Sequence, residues 1–210
     1  MTDRTSNIVA SLDIVEEKRL LDLSQEIGDS VFAIKINWPT ILACGKQIIS
    51  KLGKYSRIIC DLKIADVPNT VNLIMKQIET EKPYAVITHL FTGEDSLKTL
   101  MDNEGGIRVI GVASMSNSGA KKYLNPNYAS LIKDANSAGC YGIVGPGNDY
   151  KLLSEMSKIK GNMKIFCPGI GAQGGNYRGA MNSGGDYMII GRSIYENPSP
   201  LKYILNLEKS

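Results

Sequence analysis

The sequence predicts an α/β fold, a (β/α)8 or TIM barrel that forms a single domain over residues 1–210. Three observations carry that prediction. Short apolar, β-branched runs recur eight times, their starts about 22 to 34 residues apart, which leaves room for a strand, a helix and two short loops in each unit. The segments between the runs show helical spacing of apolar residues. The first turn after a run, Asp13–Glu17, has no G-x-G-x-x-G, and no second domain's worth of sequence is present, so the alternative of an open doubly wound sheet fits less well. Near-continuous apolar strands alternating with amphipathic helices describe a parallel sheet covered by helices, and eight such units close it into a compact barrel.

The units follow in order. The run Ile8–Leu12 stops at Asp13, and Leu20, Leu23 and Ile27 then share one helical face. The second run, Val31–Ile36, contains Lys35. The third, Arg57–Leu62, carries Asp61 near its end, with Lys63 just beyond it. Its following helix carries Val71, Ile74 and Ile78 on one face, with Pro68 placed to open it. Tyr84–Phe91 contains His89, and Ile107–Ala113 is followed by Ser114 and Ser116. Tyr141–Val144 is the sixth run. Lys164–Cys167 leads into the glycine-rich Pro168–Gly175, and Asp186–Ile190 into Gly191-Arg192-Ser193.

Composition narrows the function. With 43% hydrophobic and 21% charged residues the chain is an ordinary globular protein rather than a disordered one. Its net charge of +3 comes from 24 scattered basic residues, and without a basic stripe no nucleic-acid partner is expected. Lys121–Lys122 reads as a solvated loop tip. Met1–Asn7 is polar and lacks the pattern of a signal peptide, and no apolar run approaches the roughly 18 residues of a membrane helix. A cytoplasmic protein without a membrane partner is the expectation. Cys44, Cys60, Cys140 and Cys167 are widely spaced, with no C-x-x-C pair, and read as buried free thiols. Trp38 and Tyr203 read as packing residues.

Barrel active sites lie at the C-terminal ends of the strands, where Asp13, Lys35, Asp61, Lys63, His89, Ser114, Ser116 and Arg192 fall in this chain. Alternate strand residues share a face, so Asp61 and Lys63 project side by side, with Leu62 opposite. If Ile59 faces the barrel axis, both charges do as well. Adjacent carboxylates favour the charged form of a buried lysine. A plain ion pair with a helix cap is the competing reading of this segment. Glycines after strands seven and eight let backbone N–H groups approach an anion, the usual phosphate site of such barrels, and Arg192 offers a bidentate partner. A plain turn remains the alternative for either cluster alone.

The sequence resembles the orotidine 5′-monophosphate decarboxylase family in its short archaeal or bacterial form, over essentially the whole chain. The resemblance rests on Asp61-x-Lys63-x-x-Asp66-x-Pro68-x-Thr70, on Pro168-Gly-Ile-Gly-Ala-Gln173-Gly-Gly and on Gly191-Arg192-Ser-Ile-Tyr195, with Leu12-Asp13 and Lys35-Ile-Asn37 in matching places. It implies a cofactor-free, metal-free loss of CO2 from orotidine 5′-monophosphate, in pyrimidine biosynthesis. It implies Lys35, Asp61, Lys63 and Asp66 as the charged array, with Lys63 as proton donor. It further implies Asp13, Lys35 and Thr70 on ribose hydroxyls, Ser116 on the pyrimidine, and Gln173 spanning base and phosphate. Arg192 holds the phosphate in this reading, with Pro168, Gly169, Gly171 and Gly191 around it. The implied assembly is a homodimer in which Asp66 and Thr70 reach the partner's site.

The chemistry fits that reading. Loss of CO2 from C6 leaves an in-plane carbanion that the ring cannot delocalise, and no electron-sink motif is present, so fixed charge must stabilise it. Asp61 beside the substrate carboxylate would add ground-state destabilisation, a second term that the sequence leaves open. Many relatives carry proline where Ser118 stands, which sets the loop over the base differently. Tyr177 and Arg178 read either as solvent-exposed residues or as further phosphate contacts, with exposure preferred. His89 reads as a hydrogen-bonded wall residue. Two rivals remain: an Mg2+-dependent sugar-phosphate lyase or decarboxylase of the same superfamily, and a non-catalytic phosphate-ligand binding barrel. The first needs a metal-binding glutamate where Lys35 stands.

Overall fold

A computed structural model describes residues 6–209, so most of the polar Met1–Asn7 stretch lies outside the described residues. Eight strands form the barrel: β1 Ile8–Ser11, β2 Ala33–Asn37, β3 Ile58–Ile64, β4 Ala85–His89, β5 Arg108–Val112, β6 Gly142–Val144, β7 Lys164–Cys167 and β8 Tyr187–Ile190. Each pairs in parallel with its sequence neighbours, and β1 with β8 closes the ring. The sequence places all eight to within about two residues at most boundaries, because each is an apolar run flanked by polar punctuation. Helices cover the outside: α1 Glu17–Ile27, α2 Trp38–Cys44, α3 Ile48–Leu52, α4 Pro68–Glu79, α5 Glu94–Met101, α6 Ala120–Tyr123, α7 Tyr128–Ala138, α8 Tyr150–Ile159, α9 Tyr177–Asn182, α10 Arg192–Tyr195 and α11 Pro200–Lys209.

The period of two along each strand divides the core into two layers. Ile8, Ile34, Ile36, Cys60 and Ile190 face outward, against helix residues such as Leu20, Ile27, Val71 and Ile78. Val9, Ala33, Ile59, Ile87, Val112, Val144, Phe166 and Ile189 fill the barrel interior. Pro68 opens α4 at its first turn, as its missing N–H favours.

Aromatic rings close the N-terminal end of the barrel. The Tyr187 ring stacks on Phe32 at 4.0 Å and on Phe166 at 4.9 Å between centroids. Arg57 and Arg108 lie over the Tyr84 ring at 5.4 and 4.3 Å. With that end plugged, the open end of the barrel is the one where the strands finish on polar residues.

Several expectations need correction. Cys60, Cys140 and Cys167 are buried free thiols, and burial pushes each up to about 12, but Cys44 is only half-buried. Lys121 and Lys122 are exposed but sit in α6 rather than at a loop tip. Trp38 is 43% exposed and earns its place through Nε1, which donates to the Leu62 carbonyl at 2.8 Å. Tyr203, as expected, packs against the outer core. Among the described residues no helix is long and apolar enough to cross a membrane.

Candidate active site

A cavity of about 280 Å³ opens at the C-terminal mouth of the barrel. Among its lining residues are Asp13, Lys35, Asp61, Lys63, Ser116, Pro168, Gly169, Gln173, Gly191 and Arg192, all singled out in the sequence. Its floor and one wall are apolar, formed by Ile87, Val112, Val144 and Ile189.

The charged side of the cavity is built on β2 and β3. Ala33 and Ile59 face the barrel interior, so two residues further on Lys35 and Asp61 must face it too. Lys35 Nζ lies 3.1 Å from Asp61 Oδ2, and their side chains are only 7% and 11% exposed. Lys63 Nζ donates to both Asp61 oxygens, at 2.7 and 2.9 Å. Burial alone would raise the Asp61 carboxyl, but the Lys35 and Lys63 charges beside it outweigh burial and hold it below the ordinary carboxylate range. Asp13 lies further out, 4.0 Å from Lys35 Nζ, and its Oδ1 accepts from Asn37 Nδ2 at 2.9 Å.

Simple alternation does not explain how Lys63 reaches Asp61. The β3–β4 register shifts between Asp61 and Ile64, and Lys63 has φ +44°, in the left-handed region that a lysine rarely occupies. Such strain persists where surrounding structure holds it, here with Thr88 Oγ1 donating to the Ile64 carbonyl at 2.8 Å just after the bulge. The bulge lifts Lys63 toward the mouth. Its side chain is 41% exposed in the single chain, rather than buried as the sequence suggested.

The opposite end of the cavity is the glycine loop. Gly169, Gly171 and Gly174 have φ of +95°, +75° and +87°, and Gly175 N donates back to the Gly169 carbonyl at 2.9 Å. A Cβ on Gly175 would stand 2.5 Å from that carbonyl oxygen, so the fold of this loop requires glycine there. Gly171 does not line the cavity. It faces α10 on the far side of the loop, where a Cβ would meet Ser193 Oγ at 2.6 Å, and it holds the turn through its N–H, which donates to the Gly175 carbonyl at 2.8 Å. Arg192 follows Gly191 at the start of α10 and is exposed. Ser116 Oγ reaches Gln173 Oε1 at 3.2 Å, which ties the loop after β5 to the glycine loop.

Two of the candidates stay outside this cavity. Asp66 is exposed, its Oδ1 accepting from Val67 N at 2.8 Å, and Thr70 sits in the first turn of α4. Within one chain the array is therefore Lys35–Asp61–Lys63. His89 differs from the sequence reading, because its buried Nδ1 has no hydrogen-bond partner among the described residues. Burial, then the Lys63 charge, depress its pKa, with Asp61 opposing. Tyr177 is half-buried against the outer core, while Arg178 is exposed.

The structure adds residues that sequence reasoning missed. Ser11 lines the cavity, and its period-two spacing from Asp13 was the signal for it; Ser114, placed at the strand end by the sequence but given no role there, lines it as well. Tyr195 also lines it, three residues beyond Arg192 on the same short helix, its carbonyl accepting from Arg19 Nη2 at 2.9 Å. Asn125 clamps the loop after β5, donating to the Met115 carbonyl and accepting from Met115 N at 3.0 and 3.1 Å. Nothing local marks that contact, which spans ten residues.

Comparison with known proteins bears on the family and the fold. The chain is 41% identical over 198 residues to an orotidine 5′-phosphate decarboxylase of Thermoplasma acidophilum, covering 93% of this chain and 91% of that one. It is 40% identical to the Pyrococcus abyssi protein of the same name over 196 residues, covering 92% and 93%. The crystal structure of orotidine 5′-phosphate decarboxylase from Pyrococcus horikoshii superposes with a TM-score of 0.89 at 36% identity, covering 95% of this chain and 96% of that one. The Methanocaldococcus jannaschii enzyme complexed with the inhibitor BMP gives 0.91 at 31% identity, covering 97% of each. Residues 6–205 match the family described as orotidine 5′-phosphate decarboxylase / HUMPS, and the chain belongs to that family.

Proposed function

We propose that this chain is an orotidine 5′-phosphate decarboxylase, a carboxy-lyase that converts orotidine 5′-monophosphate to uridine 5′-monophosphate and CO2 within pyrimidine biosynthesis. The observation that carries the reading is one cavity with the Lys35–Asp61–Lys63 array on one side and the glycine loop with Arg192 on the other. A phosphate at the loop would place a ribose-linked ring against the array. The name of the relatives and the BMP complex of a structural neighbour support the same substrate class.

The array's chemistry is electrostatic. The C6–carboxyl bond breaks, CO2 departs, and the electron pair stays on C6 in the ring plane. The Lys63 ammonium, held by Asp61 at 2.7 Å, faces that developing charge and then gives C6 its proton. Lys63 regains a proton from solvent. Asp13 and Lys35 bind ribose hydroxyls, Ser116 the pyrimidine, and Gln173 spans base and phosphate. Pro168, Gly169 and Gly191 line the phosphate end, with Gly171 holding the loop from behind. Phosphate binding far from C6 contributes to organising the reacting end.

The same reading makes the protein a cytoplasmic homodimer. Asp66 and Thr70 line no part of their own chain's cavity, and Val67 and Leu73 on the same stretch of chain are 62% and 56% exposed. A second copy seated on that edge would bury these residues and bring Asp66 and Thr70 to its site. For the Mg2+-dependent alternative, the donor set fits poorly. Asp61 is flanked by two ammonium groups, and Lys35, a cation, stands where that rival needs a carboxylate ligand.

The test is ultraviolet absorbance of orotidine 5′-monophosphate mixed with purified protein, with and without EDTA. Loss of the orotate band at the same rate in both supports the reading. Turnover lost in EDTA and restored by Mg2+ would favour the metal-dependent rival, and no turnover in either would leave a binding barrel.

A further inference from the structure

Among the described residues, two buried side-chain polar atoms have no hydrogen-bond partner: His89 Nδ1 and Ser114 Oγ. Native proteins pair such atoms in the great majority of cases, and one left alone at a site points to a group supplied from outside. Of these two residues only Ser114 lines the cavity. Its place follows from the strand. Ile110 and Val112 of β5 face the barrel interior, so Ser114, two residues further on, faces it as well. Its backbone is fixed, with N donating to the Val144 carbonyl at 3.3 Å.

The surroundings define what this hydroxyl can meet. Ser114 is 0% exposed, in a wall otherwise formed by the apolar side chains of Ile87, Val112 and Val144. The charged residues Lys35, Asp61 and Lys63 stand on β2 and β3 and border that wall at Ile87, the cross-strand partner of Asp61, whereas Ser114 follows β5. Neighbouring side chains leave its Oγ unpaired, while a serine hydroxyl turns among three staggered positions at little cost. A flat ring filling the cavity would meet this wall with one edge.

We propose that Ser114 is a further substrate contact, whose hydroxyl hydrogen-bonds the carbonyl and N–H edge of the pyrimidine ring and so helps select the base. This rests on the nucleotide reading of the site. Ser114 acts beside Ser116, which reaches the mouth of the cavity and is tied to Gln173, whereas Ser114 lies deeper on the same strand end. A contact of this kind separates the apo protein from the complex: the hydroxyl stabilises nothing until the ring arrives.

The experiment compares wild type with Ser114→Ala by isothermal calorimetry, using uridine 5′-monophosphate and, as a ligand without the base, ribose 5-phosphate. Thermal denaturation of the unliganded proteins is measured alongside. The expected result is about tenfold weaker binding of uridine 5′-monophosphate by the variant, unchanged binding of ribose 5-phosphate, and an apo melting temperature equal to or above wild type. Equal uridine 5′-monophosphate affinity in the two proteins overturns the proposal. Equal losses on both ligands, or a lower apo melting temperature with no selective loss on the base, overturn it in favour of a structural role. Failure of wild type itself to bind uridine 5′-monophosphate would instead overturn the nucleotide reading, and this inference with it.

Discussion

Replacing Lys35 with methionine tests whether the array is held by charge. Lys35 Nζ and Asp61 Oδ2 are 3.1 Å apart, with side chains 7% and 11% exposed. At an effective dielectric of about 20, unit charges at that separation attract by roughly 5 kcal/mol. Much of that is offset, because methionine does not incur the cost of burying an ammonium. Lys63 also remains 2.7 Å from the other Asp61 oxygen. The net loss is then about 2 kcal/mol, which for a chain of this length lowers the melting temperature by roughly 4–8 °C. The pH dependence has a definite sign. The Asp61 carboxyl is held below its unfolded value near 3.8, so the stability it contributes is present above that pH and is lost as pH falls through the folded value. The penalty of Lys35→Met is therefore full at pH 7 and shrinks in acid. The assay is thermal denaturation by circular dichroism at fixed protein concentration, in wild-type and Asp61→Asn backgrounds. An unchanged melting temperature at pH 7, or the same fall in both backgrounds, would refute a charge-held array.

Three further predictions concern the rest of the site. Arg192→Ala should cut kcat/KM for orotidine 5′-monophosphate by about a hundredfold while leaving the slow turnover of orotidine nearly unchanged; equal losses would remove its phosphate role. Gly175→Ala drives a methyl to 2.5 Å from the Gly169 carbonyl oxygen, so calorimetry should show at least about tenfold weaker binding of uridine 5′-monophosphate, and wild-type affinity would contradict a loop that needs glycine there. The His89 pKa is depressed below 6.5, so its contribution to stability is complete above that pH and declines as pH falls toward the folded value; His89→Gln should flatten the stability slope below pH 6.5 in urea titrations, and an unchanged slope would assign that slope to other groups.

The barrel was legible because each strand is an apolar run ending on a polar residue, and period two gives the face of each side chain. That rule places Lys35 and Asp61 correctly from Ala33 and Ile59. It gives the right neighbour but the wrong reason for Lys63, since a bulge and a φ of +44° are set by pairing with β4 and not by the local sequence. The glycine loop was visible as composition, yet composition does not separate Gly169, which lines the cavity, from Gly171, which holds the loop from behind. Trp38 looked like core, but its exposure is decided by where α2 lies, and its indole pairs with a carbonyl on the next strand. The lone buried nitrogen of His89 and the orphaned hydroxyl of Ser114 depend on what neighbouring strands fail to supply, which only the assembled barrel reveals.

The most direct measurement on the central claim is turnover and product binding by Lys63→Ala. The account predicts a fall in kcat of at least about a thousandfold, because proton transfer and charge stabilisation vanish together, with uridine 5′-monophosphate still bound within a few-fold of wild type. Turnover within about tenfold of wild type would contradict the account, since Lys63 would then be neither the proton donor nor the charge facing C6.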